Sequence, residues 1–512
     1  MGNIFNGCKI EDKLKSIIQN DLSSEKKRNG KTAIRYYNAQ HDIKDYRIFY
    51  TNADGELVED KTRSNIKISH AFYTELIDQK TSYMLSGFDV GSDDDFLDKE
   101  LHKYFDDNFK SELSEAVENS SKIGFSYMYA QLGKEFRTQF KFADGIGIVE
   151  IVNNDTEGLE YIVNYYVTRE NEVTKNKVIA VEVYDNKFAY YYLLKGNNLI
   201  KDETKNINPR PHQVWRETSS GKTEYKGKSY GFIPFFRLDN NINQISDLTP
   251  VKHLIDDYDL MACGLSNNLQ DIAEGIYVVK GFQGTDLTEL QNNIKTKKIV
   301  GVGEGGGLDI QTINIPYEAR RVKLALDENG IYHFGMGLNP NQSGDGNITN
   351  VVIKSRYTLL DLKCAKMERK LRAFMQNIIE IVLNEINEIN GTNYNLGDVN
   401  ASYERVGMVN SVDTANEKQI TENIKSIKVN TLLNTSNYIP ENIITEELCK
   451  ILDIDINLVK GVKEKEEKDK ISGGEIENLS NYLLDIEKSI NTQGNASNTQ
   501  AISINEGVAM NE

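Results

Sequence analysis

The chain has 512 residues and a formal net charge of −17, with 77 acidic against 60 basic side chains. That length predicts two to four domains, and that charge argues against a protein that coats nucleic acid by neutralising phosphates. Met1–Asn20 lacks the apolar stretch of a signal peptide, and no run of about 18 apolar residues offers a spanning helix. The scattered Cys8, Cys263, Cys364 and Cys449 predict free thiols in a reducing compartment.

In chain order, Glu11–Asp21 reads as a short amphipathic helix, Glu25–Lys31 as a solvated basic run, and Ala33–Ile43 as the end of a helix. Asp54-Gly55 marks a turn between two short strands. Asn65–Gly87 reads as an extended entry into a helix that stops at Gly87, with Ile68, Phe72, Leu76, Ile77, Met84 and Leu85 towards a core. Phe96–Ser120 is a further amphipathic helical region.

From Gly124 the period becomes that of strands. The runs 125–131, 145–152, 160–167, 178–184 and 188–194 are separated by turn residues, which predicts an antiparallel sheet ending near Gly231–Asn241. Thr249-Pro250 has the form of an N-cap and first helical position. The helix 251–273 that follows carries Leu254, Tyr258, Met261, Leu265, Leu269 and Ile272 on one stripe, with Asp256, Asp257, Asp259 and Asp271 making it acidic. A mixed segment 276–315 has strands at 276–279 and 298–302. A helix from Pro316 carries Ala319, Val322, Ala325 and Leu326, and Gly330 interrupts it at a cost of about 1 kcal/mol relative to alanine.

Leu338–Asn350 is a loop by its Asn, Gly, Pro and Ser content. Beyond it no Gly or Pro occurs until Gly391, and Leu360, Cys364, Met367, Leu371, Phe374, Ile378, Val382, Ile386 and Ile389 recur at steps of three and four, which predicts one long helix. Its first half is basic (Lys354, Arg356, Lys363, Lys366, Arg369, Lys370, Arg372), the plain reading being a core helix with a solvated charged face. A strand-like patch at 402–408, helices at 414–426, 440–452 and 476–490, a charged run at 461–470 and a polar tail from Asn491 complete the chain.

Chemical motifs are few. Gly301–Gly306 matches G-x-G-x-x-G, but Leu308–Pro316 after it is extended, where a dinucleotide site needs a helix N-terminus. G-K-[ST] occurs at Gly30, Gly221 and Gly227 without the earlier glycine of a Walker loop. Gly227–Gly231 matches G-x-S-x-G, yet Phe232-Ile-Pro-Phe-Phe236 follows instead of a helix, so a turn is expected there. The six histidines show no metal-ligand spacing. Asp256, Asp257 and Asp259 do not share one helix face and read as an acidic solvated surface. No catalytic residue, cofactor or metal is expected.

The order of segments resembles that of the portal (head–tail connector) proteins of tailed bacteriophages. The stretches that carry the likeness are Ile34–Ile43, Asn65–Gly87, Ile233–Asn241, Leu254–Asp259 with Leu269–Ala273, and Asn347–Tyr357 with Lys354. The likeness runs from about Lys31 to Asp453. Where that family's loop often has Ser-Ser-Gly followed by Ala-Leu-Lys, this chain has Ser343-Gly344 earlier and Val352-Ile353-Lys354 in the second place.

The resemblance implies an α+β chain assembled as a ring of about twelve subunits at one capsid vertex, through which double-stranded DNA is packaged and ejected. It implies an N-terminal arm (1–30), a wing (31–248), a first stem helix (249–275), a clip (276–315), a second stem helix (316–337), a tunnel loop (338–350), a long helix returning to the wing (351–410), crown helices (411–490) and a disordered tail (491–512). Asn341, Gln342, Asn347, Asn350 and Lys354 would touch DNA non-specifically, and Asp256, Asp257 and Asp259 would form an acidic channel wall that lowers friction. The implied partners are the terminase large subunit, a head–tail connector protein, and the major capsid and scaffold proteins, with assembly in the host cytoplasm and no membrane. The competing expectations are a phage head-associated nuclease or protease, and a non-viral scaffold that oligomerises through the Leu360 stripe.

Overall fold

The structure is a computed structural model. It describes residues 10–452, with isolated positions up to 459, apart from the segments 154–157, 171–176, 220–221, 273–275, 283–285, 291–300, 312–315, 341–349, 406–410 and 436–437 and a few single residues. The chain divides into two units, 1–408 and 409–512. The expected helix at 476–490, the charged run at 461–470 and the polar tail lie outside the described residues.

The first unit opens with two helices, α1 (Ile10–Ser23) and α2 (Glu25–Tyr37). Ser24 caps α2 by accepting the Lys27 N–H. The run expected to be solvated is therefore helical, and the boundary expected at residue 30 falls inside α2. Lys27 is buried, with Nζ donating to the carbonyls of Gly145 (2.5 Å) and Ile148 (2.8 Å) and lying 3.4 Å from Asp21. Burial holds its pKa below the usual lysine value. A short hairpin, β1 (Phe49–Thr51) and β2 (Leu57–Glu59), turns at Gly55, whose φ is +81°. Then come α3 (Phe72–Leu85), β3 (Gly87–Gly91), α4 (Asp95–Leu101) and α5 (Asp107–Ile123). Ile68, expected in a core, is 47% exposed, because its stretch of chain is held by its backbone.

Gly124 ends α5 at φ +100°, where a Cβ would sit 2.2 Å from the Gln244 carbonyl oxygen. The strands then run β4 (Phe125–Leu132), β5 (Thr138–Ala143), β6 (Ile148–Val152), β7 (Leu159–Glu170), β8 (Lys177–Tyr184), β9 (Phe188–Lys195), β10 (Asn198–Lys201), β11 (Arg210–Pro211), β12 (Gln213–Ser219), β13 (Lys222–Lys228) and β14 (Phe235–Asp239). They form more than the single sheet expected. One sheet has the order β10-β9-β8-β7-β6 with β11 on β9, a second is β14-β4-β5, and β12–β13 is a separate hairpin. Every described pairing is antiparallel.

The rest of the unit is α6 (Lys252–Ile272), the hairpin β15 (Ile276–Phe282) and β16 (Val302–Gln311), α7 (Tyr317–Gly335), α8 (Asn350–Asn390) and β17 (Asn400–Glu404), which returns to pair with β3. The glycine run 303–307 lies in β16, and the strand continues through Gln311, so no helix N-terminus follows it. Ser229 lies in a turn as expected: its Oγ donates to the Asn186 carbonyl and accepts the Gly231 N–H.

The 41-residue α8 is the axis of the main core. Leu360, Cys364, Met367, Leu371, Phe374, Ile378, Val382 and Ile386 are buried among α4, α5, β3, β4 and β17 residues, as the stripe predicts. Ile389, at the end of that stripe, is exposed, because the helix there has run past the residues that cover it. A second core joins Ala33, Tyr36, Tyr73, Leu76 and Ile77 to Val251, Ile255, Ile331 and Tyr332, so it fastens α2 and α3 to α6 and α7. A third packs Leu14 and Ile18 of α1 on Tyr161, Val163, Val181 and Val183 of the larger sheet.

The second unit, in its described residues, is α9 (Ser411–Asn434) with α10 (Glu441–Leu452). Cys263, Cys364 and Cys449 are free and buried. No described helix is long and apolar enough to cross a membrane.

Candidate functional site

The residues of interest sit on the antiparallel pair α6/α7, the segment after it, and the first turns of α8. The turn before α6 begins at Leu248, whose carbonyl accepts the N–H of Val251 (3.0 Å) and Lys252 (2.8 Å). Pro250 lies in that turn, where its missing N–H is not needed. The buried stripe of α6 differs from the one expected: Val251, Ile255, Asp259 and Cys263 face inward, and Leu269 is 59% exposed.

The reason is an extended segment, residues 64–70, that runs antiparallel along α6. Alternate backbone N–H groups donate to side chains spaced four apart on the helix: His70 to Asp259 Oδ1 (3.0 Å), Ile68 to Cys263 Sγ (3.2 Å), Ile66 to Asn267 Oδ1 (2.6 Å) and Ser64 to Asp271 Oδ1 (3.0 Å). Four helical residues rise about 6 Å and two extended residues about 6.6 Å, so the two repeats keep step over this length. The polar stripe therefore substitutes for a partner strand and satisfies backbone that would otherwise be left without a partner.

Asp259 is the inner end of that zipper and is fully buried. Its Oδ2 accepts from His41 Nδ1 (2.6 Å) and its Oδ1 from His70 Nδ1 (2.7 Å). His41 stacks on Tyr36 with ring centroids 4.4 Å apart. Burial works against the charge on Asp259, and the bonds from His41 and His70 outweigh it, holding the carboxyl below its usual range.

Asp259 therefore cannot present its charge to a channel, and the expectation of a solvated acidic surface is corrected here. Asp256 is half-buried and accepts from Tyr36 OH and from Lys252 Nζ (2.7 Å). Asp257 faces α7 and takes Lys323 Nζ at 2.5 Å; Lys323 also reaches the buried Asp327.

On α7 the helix is continuous through Gly330, which was expected to interrupt it. A Cβ there would meet Leu254 at 3.4 Å, so the glycine lies where the two helices approach closely. The apolar residues noted on this helix are open: Val322 is 54% and Leu326 63% exposed, and Phe334 beside them 59%. Asp327, Ile331, Tyr332 and Gly335 are the residues that face inward.

The helix ends at Met336, in the left-handed region at φ +53°, and the Gly337 N–H returns to the Tyr332 carbonyl (2.9 Å). A Cβ at Gly337 would lie 2.2 Å from Leu76 Cδ2, so a side chain there would force the buried Leu76 to shift. Gln79 of α3 then holds Leu338 through both of its backbone groups, and Lys363 of α8 donates to the Gly335 carbonyl (2.8 Å). Lys363 belongs to the basic first half of α8, yet its side chain is only 11% exposed. It lies 3.2 Å from Asp247, which also takes Lys80 Nζ at 2.8 Å and Asn240 Nδ2 at 2.8 Å. Burial alone would raise the Asp247 carboxyl; Lys363 and Lys80 together hold it well below its usual range. Burial likewise lowers the Lys80 pKa.

Of the residues expected to touch DNA, Asn341, Gln342 and Asn347 lie outside the described residues. Asn350 is the first residue of α8, and Lys354 is exposed one turn on, with its carbonyl accepting Thr358 Oγ1 at 3.2 Å. Beside them is an open groove of 670 Å³ lined by Tyr332, His333, Phe334, Leu338, Arg356 and Leu359, among others. Sequence reasoning missed Gln79, His41 and the zipper. The available signal was Asp-x-x-x-Cys-x-x-x-Asn-x-x-x-Asp at 259, 263, 267 and 271, a stripe of hydrogen-bonding side chains at helical spacing. Among the described residues, no group of three or more His, Cys, Asp or Glu is placed to hold a metal ion.

The comparisons with known proteins agree with one another. The family model described as phage portal protein, SPP1 Gp6-like, matches residues 16–434. The portal protein of Bacillus phage SPP1 is 26% identical over 344 residues, 66% of this chain and 66% of that protein. The portal protein of Clostridium phage phiCD119 is 26% identical over 396 residues, 73% of this chain and 82% of that one.

Proposed function

The chain belongs to the phage portal protein family, SPP1 Gp6-like, and from that premise we propose that it forms a ring of about twelve copies around a channel for double-stranded DNA. Proteins of this family are structural components of the virion capsid. In this reading the ring sits at one vertex, is assembled in the host cytoplasm, and passes DNA inward at packaging and outward at ejection. It docks the terminase large subunit, then a head–tail connector protein, and contacts the major capsid and scaffold proteins.

The division of labour follows the segment order. Residues 31–248 with 351–410 are the wing, α6 and α7 the stem, 276–315 the clip, 338–350 the tunnel loop, and 411–490 the crown. Asn341, Gln342, Asn347, Asn350 and Lys354 are the proposed DNA contacts. Asp256 and Asp257 stand at the stem as partly exposed carboxylates, each against a lysine, and Asp259 contributes nothing to the channel surface.

One observation carries the reading furthest. Among the described residues, the α7 stripe Val322, Leu326 and Phe334, and Leu269 of α6, are apolar and exposed, while the opposite faces of both helices are closed by α2, α3 and the zipper. An apolar face of this kind marks an interface. A helix pair whose outer face needs a neighbour is what a ring of side-by-side stems requires.

Negative-stain electron microscopy of the purified full chain, with particle mass measured alongside, tests this. Rings with an axial channel and a mass near twelve or thirteen chains are expected. A compact particle without a channel would overturn the reading.

A further inference from the structure

We propose that the β1–β2 hairpin is a clasp that packs on the α7 stripe of the next copy in the ring. This rests on the ring reading and adds a second, named surface to it.

Among the described residues the hairpin is the shortest of three that pair only with themselves, the others being β12–β13 and β15–β16. It has two strands of three residues each, paired only with one another (Phe49↔Glu59, Tyr50↔Val58, Thr51↔Leu57). A lone two-stranded hairpin is marginal in water unless a face is covered. Here Tyr46 is 44%, Phe49 50%, Tyr50 51% and Leu57 71% exposed. Three large apolar side chains on one short arm, with Tyr46 at its base, are more than scattered surface residues.

The base of the arm is rigid and set at a defined height on the stem. The zipper fixes residues 64–70 along α6, with Ser64 at Asp271 near the helix end. On the other side, Tyr46 and Ile48 share a groove of 180 Å³ with Asn267, Asp271 and Arg320 of α7. The hairpin therefore leaves the stem at the level of the first half of α7, where Tyr317 and Val322 are exposed and apolar.

The two patches do not serve one another within the chain. The α6 residues that meet α7 (Leu254, Asp257 and Gly264) lie about a third of a turn around the helix from the zipper residues at 100° per residue, and both patches remain open. Two different unpartnered patches at one height, on different sides of a helix pair, are the requirement of a head-to-tail interface, which closes into a ring. Charge favours the same match. The hairpin turn carries Asp54 and Glu56, whereas the start of α7 carries Arg320 and an Arg321 that is paired with Glu318.

The test uses the full chain with cysteine pairs, Leu57→Cys with Val322→Cys and, in a second variant, Leu57→Cys with Leu326→Cys. After mild oxidation a denaturing, non-reducing gel should show a ladder of covalent oligomers for at least one pair and for none of the three single variants. Phe49→Ser with Leu57→Ser changes only exposed side chains. It should raise the concentration needed for half-assembly by about tenfold or more, from the loss of two apolar contacts per interface. Rings that form without a ladder from either pair, and that the serine variant leaves unchanged, overturn the clasp and leave the ring reading standing. A disulfide that closes within one chain also overturns it, because the hairpin would then cover its own α7. A chain that remains monomeric at all concentrations overturns the clasp and the ring together.

Discussion

Gln79 grips Leu338 by both ends of its amide: Nε2 donates to the Leu338 carbonyl at 2.8 Å, and Oε1 accepts the Leu338 N–H at 2.8 Å. One side chain on α3 thus stands in for a strand at the point where the chain leaves α7. The proposed DNA-facing segment begins from this fixed point, 259 positions along the chain from its anchor.

Gln79→Leu removes both bonds and leaves a half-buried N–H and carbonyl without partners. A loss of about 1–3 kcal/mol is expected. Amide exchange at Gly337 and Leu338 should quicken while exchange in the α8 core does not. Equal quickening throughout would show that Gln79 supports the whole fold and not this exit point.

The zipper predicts a local effect of the same kind. Asn267→Leu keeps the size of the side chain and orphans the Ile66 N–H, costing about 1–3 kcal/mol. Proteolysis between residues 60 and 70 should become faster than in the parent chain. Unchanged cleavage there would mean that the segment is held by something other than these side chains.

Asp247 sets a pH dependence. Its pKa is depressed in the folded chain below the ordinary value of 3.8, so its stabilisation is complete above about pH 4 and is lost as pH falls through the folded value. The charged groups that face it are Lys80 and Lys363, and Asn240 is its neutral partner. Asp247→Asn should cost about 3–5 kcal/mol at pH 7 by leaving buried lysines uncompensated. Denaturant unfolding at several pH values should show that gap constant down to about pH 4 and narrowing below it. A gap that narrows between pH 7 and 5 would assign the effect to another group.

Deleting Gln342–Thr349 tests the tunnel-loop reading. Rings are expected to form as in the parent chain, with DNA packaging or retention impaired. Packaging at the parent level would take the loop out of the DNA path.

Much of the architecture can be read from residue order. The α8 stripe from Leu360 to Ile386 is apolar at every third or fourth position, and its partners lie in the same chain, so period and burial coincide. The strands at 159–170, 177–184 and 188–195 are legible for the same reason, being β-branched and aromatic with polar turns between them. Where the partner was a charge, the sequence misled. Lys27 and Lys363 look like solvated bases, yet Lys27 is buried against a carbonyl 118 residues away and Lys363 is largely enclosed against a carboxylate 116 residues away.

The stem helices divide the two kinds of knowledge most sharply. The sequence by itself determined that α6 and α7 are helices, that both carry an apolar stripe, and that the family is that of the portal proteins, because periodicity and segment order are local properties of the chain. Only the tertiary structure decided which stripe is inside. On α6 the inward stripe includes Asp259 and Cys263 because an extended segment needs acceptors for its backbone N–H groups. On α7 the apolar stripe is outside because Asp327, Ile331, Tyr332 and Gly335 take the face that packs inward. Hydrophobic period records that a face is to be covered, and what covers it is fixed by contacts between residues about two hundred positions apart.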